Sequence, residues 1–173
     1  MNTKIVLIVG ASGVGKDTLL RELKSRLRGN INFVKRYITR QADENESNYH
    51  LDDYAFELLK HNSFFISTWN AHDNLYGIAK NSIKNGLNII SISRSKIKDF
   101  EYFSNNVYTI NITVPKGILR QRLENRGRES SLEIEKRLKR SYEKIEATRL
   151  VEFDNSKDIE SSVNDFISLI ESL

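Results

Sequence analysis

The chain has 173 residues, of which 39% are hydrophobic and 29% are charged, and its formal net charge at pH 7 is +4. This composition is typical of a folded globular protein, and the length predicts one domain over residues 1–173. Because the chain has no cysteine, disulfides, thiol catalysis and cysteine-based zinc sites are excluded.

The N-terminal part predicts a buried strand followed by a helix. The strand is expected over Lys4–Val9, because this apolar run is short, rich in β-branched residues and stopped by Gly10. The run is too short for a signal peptide or a membrane span, so we expect a cytoplasmic protein without a membrane partner. Leucines at helical spacing predict an amphipathic helix over Asp17–Leu27.

Further strands and helices alternate along the rest of the chain. Strands are predicted near Phe33–Thr39, Phe64–Trp69, Leu87–Ile92, Val107–Val114 and Leu150–Phe153. Helices are predicted near Asp52–His61, Ala79–Asn85, from Gly117 onward, Leu132–Ala147 and Ile159–Leu173, and a polar loop is predicted over Gln41–Asn48. This alternation implies an α/β fold with a mainly parallel sheet flanked by helices.

The stretch GASGVGKDTLL (Gly10–Leu20) lies between the predicted first strand and first helix. It fits the phosphate-binding pattern G-x-x-x-x-G-K-[ST] except at its last position, which is an aspartate. In this context the glycines let backbone N–H groups point at phosphate oxygens, and Lys16 reaches the β- and γ-phosphates. The expected nucleotide contacts are Gly10, Ala11, Ser12, Gly13, Val14, Gly15, Lys16, Asp17 and Thr18. We therefore predict a P-loop fold that binds a nucleoside triphosphate.

The aspartate at the end of this motif, Asp17, has two interpretations. Its carboxylate could bind Mg²⁺ directly or through water, since Mg²⁺ prefers hard oxygen ligands. Alternatively, Asp17 only caps the N-terminus of the helix, where a carboxylate is favourable, and Thr18 supplies the hydroxyl. Both interpretations keep nucleotide binding.

An arginine-rich segment predicts a lid over about residues 118–140. Its arginines are Arg120, Arg122, Arg126, Arg128, Arg137 and Arg140, and its glutamates are Glu124, Glu129, Glu133 and Glu135. Ion pairing among these residues would make an ordinary charged surface. However, Arg126-Gly127-Arg128 interrupts the helical pattern as a lid tip would, and arginine suits bidentate binding of phosphate. We predict that the lid closes over the triphosphate.

A second basic group consists of Arg36 and Arg40 on either side of Tyr37–Thr39. Positions four apart on a strand share a face, so the two guanidiniums could hold an anionic acceptor. A nucleic-acid surface would need aromatic side chains interleaved along a basic groove, and the surrounding sequence lacks them. We therefore expect no nucleic-acid partner.

These segments together resemble the ribose 1,5-bisphosphate phosphokinase family, which is similar to the guanylate kinases. The resemblance spans nearly the whole chain and is carried by GASGVGKDTLL, RYITR (Arg36–Arg40), Trp69, Leu75–Gly77, Ser93-Arg94 and ILRQRLENRGRES (Ile118–Ser130). It implies a kinase with an acceptor-binding insert over about residues 33–80. The implied reaction uses ATP and Mg²⁺ to convert ribose 1,5-bisphosphate to 5-phosphoribosyl 1-diphosphate.

The resemblance also implies roles for individual residues. Lys16, Arg126 and Arg137 are expected to be catalytic, Asp17 to bind the metal, and Arg122 and Asn155 to lie beside adenine. The residues expected to bind the acceptor are Arg36, Arg40, Tyr76, Ser93 and Arg94. Ser67 and Ser93 align with the carboxylates that read guanine in guanylate kinases, which favours a sugar phosphate over GMP.

Two other functions fit the same motifs. One is a guanylate kinase or another nucleoside monophosphate kinase. The other is a non-catalytic guanylate-kinase-like module, but such modules typically have a degraded phosphate loop, whereas Gly15-Lys16 is intact here. The chain departs from the phosphokinase pattern on the acceptor side at Gln41, Ser47, Asn70 and Ser91, which leaves the strictness of acceptor specificity open. A homodimer is compatible with the sequence, which carries no signal for an oligomeric state.

Overall fold

A computed structural model of the chain describes residues 3–41, 48–71, 73–127 and 130–173, without the side chain of Arg140. The strands are β1 (Thr3–Gly10), β2 (Ile31–Phe33), β3 (Tyr37–Ile38), β4 (Tyr49–His50), β5 (Phe65–Ala71), β6 (Asn74–Ala79), β7 (Gly86–Ser91), β8 (Val107–Thr113) and β9 (Leu150–Asp154). The helices are α1 (Lys16–Arg26), α2 (Asp53–His61), α3 (Ile97–Phe103), α4 (Lys116–Arg126), α5 (Ser131–Ser141) and α6 (Ile159–Ser172). Short 3₁₀ turns lie at Lys80–Ser82 and Arg94–Lys96.

The strands belong to two sheets. The five-stranded sheet has the order β2-β7-β1-β8-β9, with β2 parallel to β7 and β8 parallel to β9. In β1, every residue from Ile5 to Val9 is fully buried, as expected for a strand covered on both faces. Helices separate most of its strands along the chain, which confirms the predicted α/β class with a mostly parallel sheet.

The chain divides into two compact units. The first comprises Met1–Leu7 and Asn30–Tyr108, and the second comprises Ile8–Gly29 and Thr109–Leu173. A single kinase domain over residues 1–173 stays a prediction. Among the described residues, no helix combines the length and the hydropathy that a membrane span requires.

The first unit contains the four-stranded sheet, in the order β4-β3-β6-β5. Strand β6 runs antiparallel to both β3 and β5. Phe56 of α2 stacks on Phe65 of β5 with ring centroids 4.8 Å apart. A Cβ at Gly77 would come within 2.7 Å of the Phe65 ring, so this position in β6 requires glycine. The face of the sheet that carries Phe65 is therefore covered by aromatic packing against α2.

The second unit contains the phosphate loop and helices α1, α4, α5 and α6. At its periphery, Arg26 of α1 donates two hydrogen bonds to the carboxylate of Glu160 in α6, at 2.7 and 2.9 Å. Helices α4 and α5 also pack against each other. Leu119 and Leu123 in α4 and Leu138 in α5 are almost fully buried.

Three predicted elements were wrong in position or type. The strand predicted near Phe33–Thr39 is divided between β2 and β3, which belong to different sheets. The helix predicted near Ala79–Asn85 is the end of β6 and a 3₁₀ turn, so Gly86 begins β7 rather than stopping a helix. Here the Asn88 side chain bonds both backbone groups of Lys84, replacing the hydrogen bonds that a helix would supply.

The third error concerns the length of a helix. The helix predicted over Leu132–Ala147 ends at Ser141. The Ser141 hydroxyl donates to the Arg137 carbonyl at 2.6 Å, and the next residue, Tyr142, donates its hydroxyl to the Val114 carbonyl at 2.9 Å. These tertiary and local contacts end the helix earlier than the periodic pattern indicates. The other predicted strands and helices are confirmed within a few residues, and most of the predicted loop Gln41–Asn48 lies outside the described residues.

Candidate active site

The phosphate loop has the expected strand–loop–helix setting. Strand β1 ends at Gly10, residues 11–15 form the turn, and α1 begins at Lys16. The Lys16 ammonium donates to the carbonyls of Gly10 and Ala11, at 2.7 and 2.8 Å. The ammonium group therefore lies against the loop, at the place where phosphate is expected to bind. Of the other loop residues, Gly13 and Val14 are buried and Ser12 is exposed.

Gly15 is the N-cap of α1 and cannot be replaced without strain. Its φ of +93° is left-handed, and an added Cβ would meet Asn155 Nδ2 at 2.5 Å. Among the described residues, no side chain makes a capping hydrogen bond to α1. The N-terminal N–H groups of the helix are therefore not taken up by a side-chain cap, which suits an anion.

The side chains of Arg122 and Asn155 hold this loop in place through hydrogen bonds. The Val14 carbonyl accepts one hydrogen bond from Asn155 Nδ2 at 2.7 Å and another from an Arg122 guanidinium nitrogen at 3.3 Å. Arg122 also donates to the Asn155 carbonyl at 3.1 Å. Asn155 is 6% exposed, so its amide is committed to this network. The structure thus unites these two residues with the loop, while their placement beside adenine stays a prediction.

Asp17 lies in the first turn of α1 and is exposed. Gly15 is the N-cap and no side-chain hydrogen bond from the described part of the chain reaches the cap, so Asp17 is not the capping residue, but its carboxylate does lie in the first turn, where it is favourable. Thr18, which follows it, is half-buried. Among the residues that the structure describes, no group of three or more histidines, aspartates or glutamates could hold a metal ion. The exposed carboxylate of Asp17 fits a Mg²⁺ ion held by one carboxylate together with substrate phosphates, which is a usual arrangement for this ion.

The predicted lid consists of α4 and α5. Helix α4 ends at Arg126 with Gly127 in the left-handed conformation, which confirms the predicted interruption. Arg126 is exposed, and Arg137 is half-buried on α5. Arg120 instead pairs with Glu135 across the two helices, as an ordinary surface arginine does. Arg128 and Glu129, and the side chain of Arg140, lie outside the described residues.

Helix α5 begins with a capping box. The Ser130 backbone N–H and hydroxyl both donate to the Glu133 carboxylate, at 2.7 and 2.8 Å, and the Glu133 N–H donates back to the hydroxyl at 3.4 Å. These hydrogen bonds, the backbone one first, hold the pKa of Glu133 below its ordinary value. The start of the helix that carries Arg137 is therefore fixed locally.

Arg36 and Tyr76 meet on one face of the four-stranded sheet. The Arg36 guanidinium lies 5.7 Å from the centroid of the Tyr76 ring, which stacks on Trp69 at 5.5 Å with an interplanar angle of 8°. The backbone N–H and Nε of Arg36 also donate to Asn48 Oδ1, at 3.3 and 3.4 Å. Tyr76 is only 9% exposed. Its ring therefore supports the arginine and the tryptophan, and its contact with an acceptor stays a prediction.

Arg40 lies two residues beyond β3 and is half-buried. Its neighbour Thr39 is fixed to β6 on both sides, since its N–H donates to the Leu75 carbonyl at 3.1 Å and its hydroxyl accepts from the Leu75 N–H at 3.0 Å. Ser93 and Arg94, both half-buried, lie where β7 gives way to a 3₁₀ turn. The Ser93 and Ser95 hydroxyls are 3.1 Å apart.

Sequence reasoning missed Asp99, on α3. Its carboxylate accepts a hydrogen bond from the buried Ser67 hydroxyl at 2.6 Å and lies 3.6 Å from the Lys96 ammonium. Ser67 was singled out for lacking a carboxylate, and the fold supplies one from 32 residues away. Only the Lys96–Asp99 spacing, three apart on a helical turn, was visible in the sequence, and it does not point to Ser67.

Comparison with known proteins identifies the family. The family described as AAA domain matches residues 6–149. The chain is 37% identical to the ribose 1,5-bisphosphate phosphokinase PhnN of Desulfomicrobium baculatum, over 89% of the chain and 87% of that relative. It is also 37% identical to the bifunctional ribose 1,5-bisphosphokinase-thymidine phosphorylase of Roseobacter denitrificans, over 96% of the chain, but it spans only 26% of that longer protein.

A solved structure supports the same fold. The guanylate kinase from Anaplasma phagocytophilum superposes with a TM-score of 0.65, covering 99% of the chain and 85% of that structure at 18% identity. At this identity the likeness shows the fold alone, and it agrees with the strand–loop–helix arrangement around Lys16. Taken with the phosphokinase relatives, it leads to one conclusion: the chain belongs to the ribose 1,5-bisphosphate phosphokinase family of P-loop kinases.

Proposed function

We propose that the chain transfers the γ-phosphoryl group of ATP to the 1-phosphate of ribose 1,5-bisphosphate. A new bond forms between a 1-phosphate oxygen and the γ-phosphorus, and the bond from that phosphorus to the β,γ-bridging oxygen breaks. The products are ADP and 5-phosphoribosyl 1-diphosphate. The observation that carries the proposal is 37% identity to a ribose 1,5-bisphosphate phosphokinase over 87% of its length, together with an intact loop around Lys16.

On the donor side, charge neutralisation is the main requirement. The loop N–H groups and the N-terminal end of α1 hold the phosphates, and Lys16 exchanges its carbonyl partners for phosphate oxygens. Arg126 and Arg137 stabilise negative charge on the transferring group. Mg²⁺, with Asp17 and the substrate phosphates as its ligands, supplies further charge neutralisation when bound.

On the acceptor side, no general base is needed. The second pKa of a phosphate monoester is about 6, so the attacking oxygen is already ionised near neutral pH. Arg36, Arg40 and Arg94 bind the two phosphates of the acceptor and offset their repulsion from the triphosphate. The exposed His50 and His61 are not required, and His72 lies outside the described residues.

The alternative acceptor is GMP, because the fold is that of a guanylate kinase. The proposal is tested by the initial rate of ADP release from ATP and Mg²⁺ with ribose 1,5-bisphosphate or GMP at equal concentrations. We expect turnover with the bisphosphate alone. Turnover with GMP alone would make the protein a guanylate kinase. If neither acceptor led to ADP release, a non-catalytic module would be favoured.

A further inference from the structure

The carboxylate of Asp99 is fixed by one of its oxygens. Oδ2 accepts the Ser67 hydroxyl at 2.6 Å and lies 3.6 Å from Lys96 Nζ. Ser67 is 4% exposed, whereas the Asp99 side chain is 34% exposed. Within the described parts of the chain, no hydrogen bond reaches Oδ1. One oxygen is therefore held and the other can accept a hydrogen bond from outside the protein.

Asp99 contacts the same face of the four-stranded sheet as the acceptor arginine. In the β5–β6 register, Ser67 pairs with Ile78 and Trp69 pairs with Tyr76. Ser67 and Trp69 are two apart, so their side chains share a face, about 6.6 Å apart along the strand. The Trp69–Tyr76 stack and the Arg36 guanidinium mark that face. It thus carries a cation at one end and a carboxylate near the other.

A carboxylate beside a polyanionic acceptor is unfavourable unless it binds a hydrogen-bond donor of that acceptor. Lys96 offsets part of its charge, but Oδ1 can only accept. In ribose 1,5-bisphosphate the donors are the ring hydroxyls at C2 and C3. An acidic side chain that accepts a hydrogen bond from a ribose hydroxyl is also the device that dinucleotide-binding folds use.

We propose that Asp99 recognises a ring hydroxyl of the pentose and so determines acceptor specificity, an inference that rests on the proposed function. Ser67 acts as its positioning residue. The arginines hold the phosphates, which many sugar phosphates share, whereas Asp99 reads the hydroxyl that distinguishes the pentose from its deoxy analogues.

The test measures kcat/KM of the full chain for ribose 1,5-bisphosphate and for its 2-deoxy and 3-deoxy analogues. A lost hydrogen bond to a charged group predicts that the wild type discriminates against one analogue by about tenfold or more. In Asp99→Asn that ratio should fall to within about threefold, which is in the range of a neutral hydrogen bond. Ser67→Ala should lower the ratio in the same direction. Glu101→Gln is the matched control, because it removes the same charge from the opposite side of α3 and should keep the wild-type ratio.

The outcomes separate this inference from the proposed function. A wild type that does not turn over ribose 1,5-bisphosphate overturns both. An active wild type that accepts both deoxy analogues equally well overturns the inference alone and requires no variant to fold. Unchanged discrimination in a folded, active Asp99→Asn would make Asp99 a structural partner of Ser67 and would also overturn it. Loss of discrimination in Asp99→Asn, but not in Glu101→Gln, supports it.

Discussion

The phosphate loop and the acceptor face are built in different ways. The loop is a continuous run of residues whose backbone is proposed to bind the phosphates, with Gly15 held in a left-handed conformation against Asn155. The acceptor face is assembled from side chains that are distant in the chain, such as Arg36, Tyr76 and Asp99. The loop requires particular residues at fixed spacing in one short segment, whereas the acceptor face draws its residues from separate segments. Changes in the loop should therefore abolish activity, and changes on the acceptor face should alter which acceptor is used.

The largest effect is expected for Lys16→Ala. Removing one preorganised charge from the transferring phosphates should lower kcat by about a hundredfold or more. The fold should persist, because Lys16 is half-buried at the start of α1 and donates to two carbonyls of the loop rather than packing in the core. Lys24→Ala, at the exposed end of the same helix, is the control and should have wild-type kcat. Near-normal kcat in a folded Lys16→Ala would contradict the placement of Lys16 on phosphate.

The next effect concerns the loop backbone. Gly15→Ala forces a side chain into a left-handed conformation and against Asn155 Nδ2, and should lower the free energy of unfolding by roughly 1–3 kcal/mol. Gly117→Ala in α4 is the matched control, since nothing lies within 4 Å of its added Cβ. It should raise the free energy of unfolding by about 0.4–1 kcal/mol. Denaturant unfolding measures the free energy of unfolding of both variants. Equal changes in the two would show that Gly15 does not need its left-handed conformation.

A smaller and more selective effect is expected for Arg40→Ala. Loss of a charged contact to the acceptor phosphate should raise the acceptor KM about tenfold. The KM for ATP should not change, since Arg40 is proposed to bind the acceptor and not the nucleotide. Lys60→Ala, which removes a cation paired with Glu57 on α2, should change neither constant. A parallel rise in both KM values would mean that the division between donor and acceptor residues is wrong.

The smallest effect concerns the start of the lid helix α5. The Ser130 hydrogen bonds hold the pKa of Glu133 below its value in the unfolded chain, so they stabilise the helix above that unfolded pKa. The stabilisation is lost as the pH falls through the folded pKa. Glu133→Gln should therefore lower the Tm slightly at neutral pH, and the difference from wild type should shrink in acid. A constant difference across this range would exclude the carboxylate as its source.

The comparison also explains what the sequence could reveal. The strand, loop and helix around Lys16 were predictable because glycine spacing reports directly on backbone conformation. The break between α4 and α5 was likewise visible at Gly127. The antiparallel strand β6 was not predicted, because it is defined by its pairing with β3 and β5, which lie elsewhere in the chain. Asp99 was invisible for the same reason: only tertiary packing brings α3 to Ser67.

The most direct test of the central claim is phosphorus-31 NMR of the wild-type reaction with ATP, Mg²⁺ and ribose 1,5-bisphosphate. The proposed transfer predicts a diphosphate on C1 of the sugar that accumulates in equal amount with ADP. ADP accompanied by inorganic phosphate, with the bisphosphate unchanged, would contradict the transfer and show hydrolysis instead.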